Sequence, residues 1–399
     1  MRSRVGIFNL VWSASLLLFS CSESPGPGTS VFVVEREGGK IAVVDYVDRK
    51  LETEFSITGN LRHASMVFDP AMRYAYLISR DGILSKIDVY RRREVDSLKV
   101  SENSIAIAIS QNGGVIAAAN YKPGGITFID TESFKIIQKI SAEVNLNGEE
   151  IVSRVTGLVD APGNLFVCSL MDADEIWVIG PSPEGSGEKK FIVQRKIKTS
   201  EKNPFDALIT SDGRYYMAGH FKQQTSSLVD LWSLSDQARS ITFRRDAKKD
   251  RIPVKMPHME GWAVADGKIL IPVTSDMRLY AISTVDFSSS GHTELIGEPV
   301  YAVVRPDRRE VWVTFSGDKN DGKIQIVDPV AMKSLKVLDV GKRIYHLVFT
   351  PRGDRAIVSS NESNEVVILD AVSHEITGRV PVASPSGIFG IWRAFQIGL

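Results

Sequence analysis

Cysteine is nearly absent from this chain. Two occur among its 399 residues, Cys21 and Cys168. If Cys21 is covalently modified, Cys168 has no partner, so a disulfide framework is excluded. No CxxCH motif is present, which excludes covalent attachment of a c-type haem. Cys168 lies in the apolar run LFVCSL, and this context predicts a buried, unreactive thiol.

An excess of charge of either sign is missing as well. The 48 lysine and arginine residues balance 48 aspartate and glutamate residues. Proteins that bind nucleic acids neutralise phosphates with a basic surplus, so a nucleic-acid partner is not expected. No glycine-rich nucleotide fingerprint follows a strand-like run, so an electron acceptor, if one is needed, must be the ligand itself or a partner.

The N terminus carries the features of an export signal. Arg2 and Arg4 precede an apolar run over 5–19, which is too short and wrongly flanked for a membrane span. The run ends LFSC, which resembles a bacterial lipobox with Cys21 as the lipidated residue. The residues that follow are rich in serine, proline and glycine, as in a flexible tether. An ordinary signal peptide followed by a chance cysteine is the alternative.

These features divide the chain into three segments. We expect a signal peptide over 1–20, the lipidated Cys21 and a tether over 21–30, and one folded domain over 31–399. The mature protein would then lie in the periplasm, attached to a membrane through its lipid.

Strand-like runs recur through the domain with a period of about 42 residues, which is the signature of a repeat architecture. The clearest unit, 63–100, contains four β-rich runs separated by turn residues: HASMVFDP, RYAYLISR, ILSKIDVY and REVDSLKV. A strand that ends in aspartate returns at Asp45, Asp88, Asp130, Asp328 and Asp370. Full units cover 63–100, 104–140, 154–197, 204–243, 258–295, 299–340 and 343–382.

One further unit is split between the two ends of the domain. Residues 31–58 lack the first strand of the unit, whereas SGIFGIWRAF after Pro385 supplies a single strand. A ring that closes by pairing these pieces leaves no open sheet edge. The sequence therefore predicts an all-β, eight-bladed β-propeller whose N-terminal blade is completed by the C-terminal strand.

Polar side chains recur where each unit begins. The first strand of a propeller blade is innermost, so its first residues should surround one mouth of the central channel. Core packing would have supplied valine, isoleucine or leucine there. Aligned on their first turn, the units instead place two sets of mostly polar residues on one face of the inner strand, two positions apart. These are His63, Ser104, Arg154, Pro204, His258, Pro299 and Ile344, then Ser65, Ala106, Thr156, Asp206, Glu260, Tyr301 and His346.

Cations are predicted around these histidines. The loops between second and third strands open on the same face and carry Arg36, Arg80 and Lys122. Imidazole can ligate a metal, and arginine or lysine pairs with carboxylates. This combination suits a flat, metal-bearing ligand with several carboxylates. Because channel mouths are wet and often polar, a solvated mouth without a ligand is the alternative.

Several segments resemble a known family. The stretch TGNLRHASMVFDPAMRYAYLISRDG and the motif PHMEGW are similar to segments of the d1 domain of haem d1-containing nitrite reductases. The ending SPSGIFGIWRAFQIGL resembles the branch of that family that acts in haem d1 biosynthesis. The resemblance covers the whole chain after the tether.

The resemblance implies a ligand and partners. The ligand would be haem d1 or its dihydro precursor, with His63 on the iron and His258 on the distal side. Nitrite reductase and other haem d1 biosynthesis proteins would be partners. The expected ligand-binding residues, from the resemblance and the repeat alignment together, are Arg36, Arg62, His63, Arg80, Lys122, Arg154, Tyr301 and His346.

The chain departs from nitrite reductase in two respects. It has no cytochrome c domain to supply electrons, and its segment NPFDAL places Phe205 and Asp206 near the position of a second distal histidine. Because an electron donor and a proton donor are both missing, turnover of nitrite is not expected.

Three functions remain open. The first is a haem d1 biosynthesis factor that acts on the nearly finished tetrapyrrole, with dehydrogenation as the suggested activity and His258 or Glu260 as the proton acceptor. The second is a carrier that delivers the tetrapyrrole to nitrite reductase unchanged. The third is an adapter propeller that has no cofactor.

Overall fold

A computed structural model describes residues 26–146, 148–183, 190–221, 225–242, 262–317 and 319–397. Within these residues the strands form eight four-stranded sheets and one two-stranded hairpin. The four-stranded sheets follow one another along the chain as the blades of a ring, so the predicted eight-bladed β-propeller is confirmed. Short 3-10 helices cover Pro27–Thr29, Thr274–Asp276 and Ile391–Phe395.

Each blade is an antiparallel sheet whose first strand contacts the first strand of a neighbouring blade around the axis; blade 1 takes that inner strand from the C terminus. Blade 1 contains β1 (Ser30–Glu35), β2 (Lys40–Asp45) and β3 (Lys50–Ser56), and blade 2 contains β4 (Ser65–Phe68), β5 (Tyr74–Ile78), β6 (Ile83–Asp88) and β7 (Arg93–Lys99). Blade 3 contains β8 (Asn103–Ile109), β9 (Val115–Lys122), β10 (Gly124–Asp130) and β11 (Lys135–Ser141), and the hairpin of β12 (Glu143–Leu146) and β13 (Glu149–Val152) follows it. Blade 4 contains β14 (Val155–Ala161), β15 (Leu165–Leu170), β16 (Glu175–Pro181) and β17 (Phe191–Lys198). Blade 5 contains β18 (Pro204–Ile209), β19 (Tyr215–His220), β20 (Thr225–Asp230) and β21 (Arg239–Thr242), and blade 6 contains β22 (Ala263–Ala265), β23 (Lys268–Val273), β24 (Arg278–Ser283) and β25 (Ser289–Glu294). Blade 7 contains β26 (Glu298–Val304), β27 (Val311–Ser316), β28 (Lys323–Asp328) and β29 (Lys333–Asp339). Blade 8 contains β30 (Ile344–Phe349), β31 (Arg355–Ser360), β32 (Glu365–Asp370) and β33 (Ile376–Pro381), and the last strand, β34 (Pro385–Gly390), belongs to blade 1.

The hydrophobic core is divided into layers between adjacent blades. Second and third strands are buried on both faces because a neighbouring blade covers each face, which explains apolar runs such as VIAAA in β9 and IWVIG in β16. In one layer the rings of Trp312 from blade 7 and Phe349 from blade 8 lie 5.1 Å apart. Each repeat therefore buries its apolar surface against its neighbours, and the ring has no single central core.

The recurring aspartates build the turns between third and fourth strands. Asp88 Oδ1 accepts the backbone N–H groups of Tyr90 at 3.1 Å and Arg91 at 2.8 Å. The arrangement is an Asx turn, in which a side-chain carboxylate takes the place of a backbone carbonyl. The same turn follows Asp45, Asp328 and Asp370. The periodic aspartate thus marks the point at which each of these blades turns to its outer strand.

The ring closes as the sequence predicts. Strand β34 pairs antiparallel with β1, with Val31 opposite Gly390 and Phe32 opposite Phe389. Beyond this strand the chain crosses the far end of the channel. Trp392 packs on the layer between blades 8 and 1, and Ile397 reaches the layer between blades 4 and 5 on the other side of the ring.

The propeller has two faces. Loops between second and third strands, together with the connections between blades, form one face, which we call the mouth face. Turns between first and second strands and between third and fourth strands form the other face, which we call the base. Both ends of the described chain lie at the base, because Ser30 pairs with Asp45 and Gly390 pairs with Val31.

Three further features bear on the sequence predictions. Cys168 is fully buried in β15, and burial raises the pKa of its thiol to about 12, as expected for an inert cysteine. The hairpin of β12 and β13 was not foreseen; its Val144 packs on the layer between blades 3 and 4. Among the residues that the structure describes, no helix is long and apolar enough to cross a membrane. Cys21 and the predicted signal peptide lie outside the described residues.

Candidate functional site

A cavity of about 1020 Å³ opens on the mouth face and continues down the inner strands. Its volume is that of a site for a large cofactor rather than for a small ion. The lining combines apolar residues such as Leu61, Ala106 and Phe389 with charged side chains such as Arg36 and Arg80. Blades 1, 2, 3, 5, 7 and 8 all contribute to the lining. The cavity is therefore formed by several blades together and not by any one of them.

His63 lies at the edge of the cavity on the connection from blade 1 to blade 2. The connection is held in place by the residues that precede the histidine. Leu61 is buried in the layer between these blades, and Asn60 donates its backbone N–H to Asp81 at 2.8 Å and accepts the N–H of Arg80 at 3.0 Å. The half-buried imidazole thus extends from a fixed backbone, which is what a metal ligand requires.

His346 lines the same cavity from β30, but its chemistry differs. Its Nδ1 accepts the backbone N–H of Ile388 at 3.0 Å, so the neutral ring carries its proton on Nε2. The ring packs edge-on against Tyr301, with centroids 5.5 Å apart. Because the available lone pair of the neutral imidazole is already used, His346 suits hydrogen-bond donation rather than metal ligation.

One group of cations surrounds Tyr121. The guanidinium groups of Arg80 and Arg154 lie 5.6 and 5.8 Å from the centre of the Tyr121 ring. Burial raises the pKa of Tyr121 to about 12, and Asp206 acts in the same direction, whereas Arg154 and Arg80 oppose the rise. Tyr121 therefore keeps its phenolic proton at neutral pH and can donate a hydrogen bond into the cavity.

Arg154 is held apart from the cavity lining. Its Nε donates to Asp172 Oδ2 at 2.9 Å, and this pair raises the pKa of Arg154 and lowers that of Asp172. Of the two arginines beside Tyr121, Arg80 is the one that lines the cavity. Arg80 is therefore better placed than Arg154 to contact a ligand in the cavity directly.

A second group of cations surrounds Tyr345 on blade 8. Arg36 and Arg343 lie 5.0 and 5.5 Å from the centre of the Tyr345 ring. Arg36 also donates to the backbone carbonyl of Arg62, and Arg343 pairs with Glu362 at 2.9 Å. Sequence reasoning missed Arg343, Tyr345 and the adjacent Lys342, although the segment GKRIYH leads into the inner strand β30 and ends at His346 itself. The connections between blades were the place to look for them.

The remaining predicted residues are distributed unevenly. Arg62 lines the cavity but is largely exposed and pairs with Glu37 at 3.0 Å. Lys122 does not line the cavity, because its exposed ammonium pairs with Glu102 at 3.3 Å. His258 and Glu260 lie outside the described residues.

Among the described residues, blades 8, 1 and 2 bring cations to the cavity lining, and the acids Glu362 and Asp321 line it as well. Arg154 of blade 4 lies beside Tyr121 but outside the lining. Blades 5 and 7 contribute Phe205, the buried Asp206 and Tyr301.

Comparison with known proteins identifies the class. A family model for the cytochrome d1 haem domain matches residues 27–394, and the chain therefore belongs to the cytochrome d1 haem domain family. Within that family it is similar to protein NirF of Pseudomonas aeruginosa, with 35% identity over 387 residues, 96% of this chain and 97% of the relative. Protein NirF of Stutzerimonas stutzeri is 33% identical over 393 residues, 98% of this chain and 99% of the relative.

A further sequence relative and two solved structures are similar to this chain. The dihydro-haem d1 dehydrogenase of Pseudomonas aeruginosa is 26% identical over 341 residues, covering 82% of this chain and 64% of that protein. The solved structure of dihydro-haem d1 dehydrogenase NirN in complex with DHE superposes with a TM-score of 0.78 at 21% identity, over 93% of this chain and 77% of that one. Apo AztD from Citrobacter koseri has a TM-score of 0.58 at 14% identity, over 90% of this chain and 96% of that one. The family predicted from the sequence is confirmed.

Proposed function

We propose that this protein binds haem d1 or its dihydro precursor in the mouth cavity while that cofactor is being assembled. The observation that carries the proposal is one cavity that combines the His63 imidazole with a crescent of arginine side chains. Membership of the cytochrome d1 haem domain family supports the choice of ligand. So does the similarity to a relative named dihydro-haem d1 dehydrogenase.

The residues present fit such a ligand. Among the described residues, no three side chains that could ligate a metal come together. A tetrapyrrole would bring ring-nitrogen ligands for its own metal, so a single protein side chain could complete the binding. His63 would be that side chain, because its imidazole lines the cavity. Apolar lining residues such as Ala106 and Phe389 suit the face of a macrocycle.

The charged side chains would orient the macrocycle. Arg36, Arg80 and Arg343 lie where they can form charge-assisted hydrogen bonds with carboxylate side chains of the ligand. Tyr121 supplies a neutral donor, since it keeps its phenolic proton. When bound, the tetrapyrrole iron would supply redox chemistry, while this chain would hold and orient the macrocycle.

Two roles follow from one site, and a titration separates them. Adding the dihydro precursor to the purified protein should give a saturable 1:1 spectral change. If the protein is a dehydrogenase, the spectrum should then convert to that of haem d1 when ferricyanide is added to take up the two electrons, with two protons released to solvent. A stable spectrum that does not convert would identify a carrier for nitrite reductase. A spectrum unchanged by either tetrapyrrole would contradict the proposed ligand and leave the adapter function.

We also propose that the mature protein is a periplasmic lipoprotein attached through Cys21. The charged start, the short apolar run and the LFSC ending support this location. Cys21→Ala should release the protein from the membrane fraction into the soluble fraction, because the diacyl group is then lost. Fractionation of cells with an antibody to the propeller measures the effect. Unchanged retention in membranes would show that another part of the chain holds it there.

A further inference from the structure

Large apolar side chains are exposed on the base of the propeller at a repeating position. In six turns between third and fourth strands, the residue two positions after the third strand is apolar and exposed. Leu234 and Phe395 are exposed on the same face. The six repeating residues are Val47, Tyr90, Trp232, Val285, Val330 and Val372.

The turns themselves do not require apolar residues at this position. After Asp328, for example, the carboxylate accepts the backbone N–H groups of Val330 at 2.8 Å and Ala331 at 3.0 Å. The bond therefore uses the backbone of Val330, and its side chain is 64% exposed. A polar residue would build the same turn without exposing hydrocarbon to water.

The two faces of the ring differ sharply in this respect. On the base, six large apolar side chains are 64–94% exposed: Trp232, Leu234, Val285, Val330, Val372 and Phe395. Among the described residues of the mouth face, the exposed large apolar side chains are Val152, Met277 and Ile296, at only 37–49%. Within the described part of the chain, the exposed apolar surface is therefore concentrated on the base, as at many interaction sites.

The chain enters the propeller at the same face. Thr29 donates its hydroxyl to Asp45 at 2.8 Å and accepts the backbone N–H of Tyr46 at 3.0 Å, and the Tyr46 hydroxyl donates to the carbonyl of Gly28 at 3.0 Å. The N-terminal segment is thus tied to the first of the base turns. Cys21 precedes Gly26 by five residues, which span roughly 17 Å at most when fully extended.

That length is short compared with the propeller. A six-residue strand such as β28 is about 20 Å long, and strands of this length separate the base from the mouth face. A lipid on Cys21 can therefore hold the base at a bilayer, but the tether is too short to bring the mouth face to the same bilayer.

We infer that the base is a membrane-contact surface whose occupant is a phospholipid bilayer. The apolar turn residues lie in the interfacial layer, and the cavity faces away from the membrane. A ring with one apolar residue on most blades suits a plane, whereas a protein partner buries its anchors in one central cluster. The inference goes beyond tetrapyrrole binding and depends on the lipid anchor. It leaves the cavity open to a soluble donor or acceptor of the ligand.

Depth-dependent quenching tests this orientation. The full-length acylated protein is placed in vesicles of phosphatidylethanolamine and phosphatidylglycerol that contain a quencher attached to lipid. Single cysteines carry a fluorophore at Val330→Cys or Val372→Cys on the base, with Ile296→Cys on the mouth face as the matched control. Cys168 is buried and stays unlabelled. Labels on the base should be quenched, and the label at 296 should not.

A second variant tests the side chains themselves. Combined Trp232→Ser, Val285→Ser and Val330→Ser should reduce quenching of the label at 372. Leu335→Ser with Val337→Ser, exposed on an outer strand, should leave it unchanged. Equal quenching on both faces, a chain that does not associate with the vesicles, or quenching that requires an added membrane protein would each overturn the inference. Tetrapyrrole titration of the same vesicles reports on the cavity independently.

Discussion

The His63→Ala protein is expected to lose the axial imidazole signature of bound haem d1 while its propeller still folds. Alanine offers no donor atom to the iron. Leu61 and Ala64 pack on the layer between blades 1 and 2 and remain unchanged in this variant, so we expect the propeller to fold. Visible absorption and electron paramagnetic resonance of the loaded protein measure the change, and haem d1 formation in cells should be abolished.

Two controls separate iron ligation from a general disturbance of the site. Imidazole added to a His63→Gly protein should restore the axial signature, because the small molecule can occupy the space that the side chain leaves. His258→Ala should keep the signature and slow conversion of the precursor only if the protein is a catalyst. A His63→Ala protein with an unchanged spectrum and normal haem d1 formation in cells would place the iron elsewhere.

The fold could be predicted because every blade needs the same kinds of residue at the same positions. Buried middle strands need apolar runs, and the turns to the outer strands of several blades use an aspartate such as Asp88 or Asp370. These requirements leave a period that is visible in the sequence. The β12–β13 hairpin was missed because it occurs once, between blades 3 and 4, and so leaves no period.

The cavity was predictable only in part. The alignment of inner strands selects His63, Tyr301 and His346, and the structure places all of them in the lining. It could not show that His346 uses Nδ1 to accept the N–H of Ile388, since that partner comes from the C-terminal strand on the neighbouring blade. Whether His346 can ligate a metal or can only donate a hydrogen bond is therefore decided by a contact that forms when β34 closes the ring.

The sequence also could not show which of the predicted cations line the cavity. Sequence position puts Lys122 and Arg80 in equivalent loops, yet Glu102 pairs with Lys122 outside the cavity, whereas Arg80 packs on Tyr121 within it. Which cation remains available to a ligand depends on the nearest acid and the nearest aromatic ring. Both neighbours are supplied by tertiary structure, so composition and spacing could not decide it.

The pair of arginines on Tyr345 should therefore have the second large effect on ligand affinity. Each charge-assisted hydrogen bond to a carboxylate contributes about 1.5–3 kcal/mol, so Arg36→Ala and Arg343→Ala should each weaken binding roughly 10-fold to 100-fold. Arg343 should fall at the lower end, because Glu362 shares its charge. The double variant should lose roughly 100-fold to 10,000-fold if the two contacts add. Equilibrium titration with haem d1 measures these affinities.

Lys122→Ala provides the matched control for that series. It removes one positive charge from the same face, so its long-range electrostatic effect resembles that of each arginine variant, but its ammonium does not line the cavity. Its affinity should stay close to that of the unmodified protein. A loss equal to that of Arg36→Ala would mean that net charge, rather than contact, governs binding. Raising the ionic strength would then weaken all variants alike, whereas direct contacts in the cavity should leave the difference between Arg36→Ala and Lys122→Ala in place.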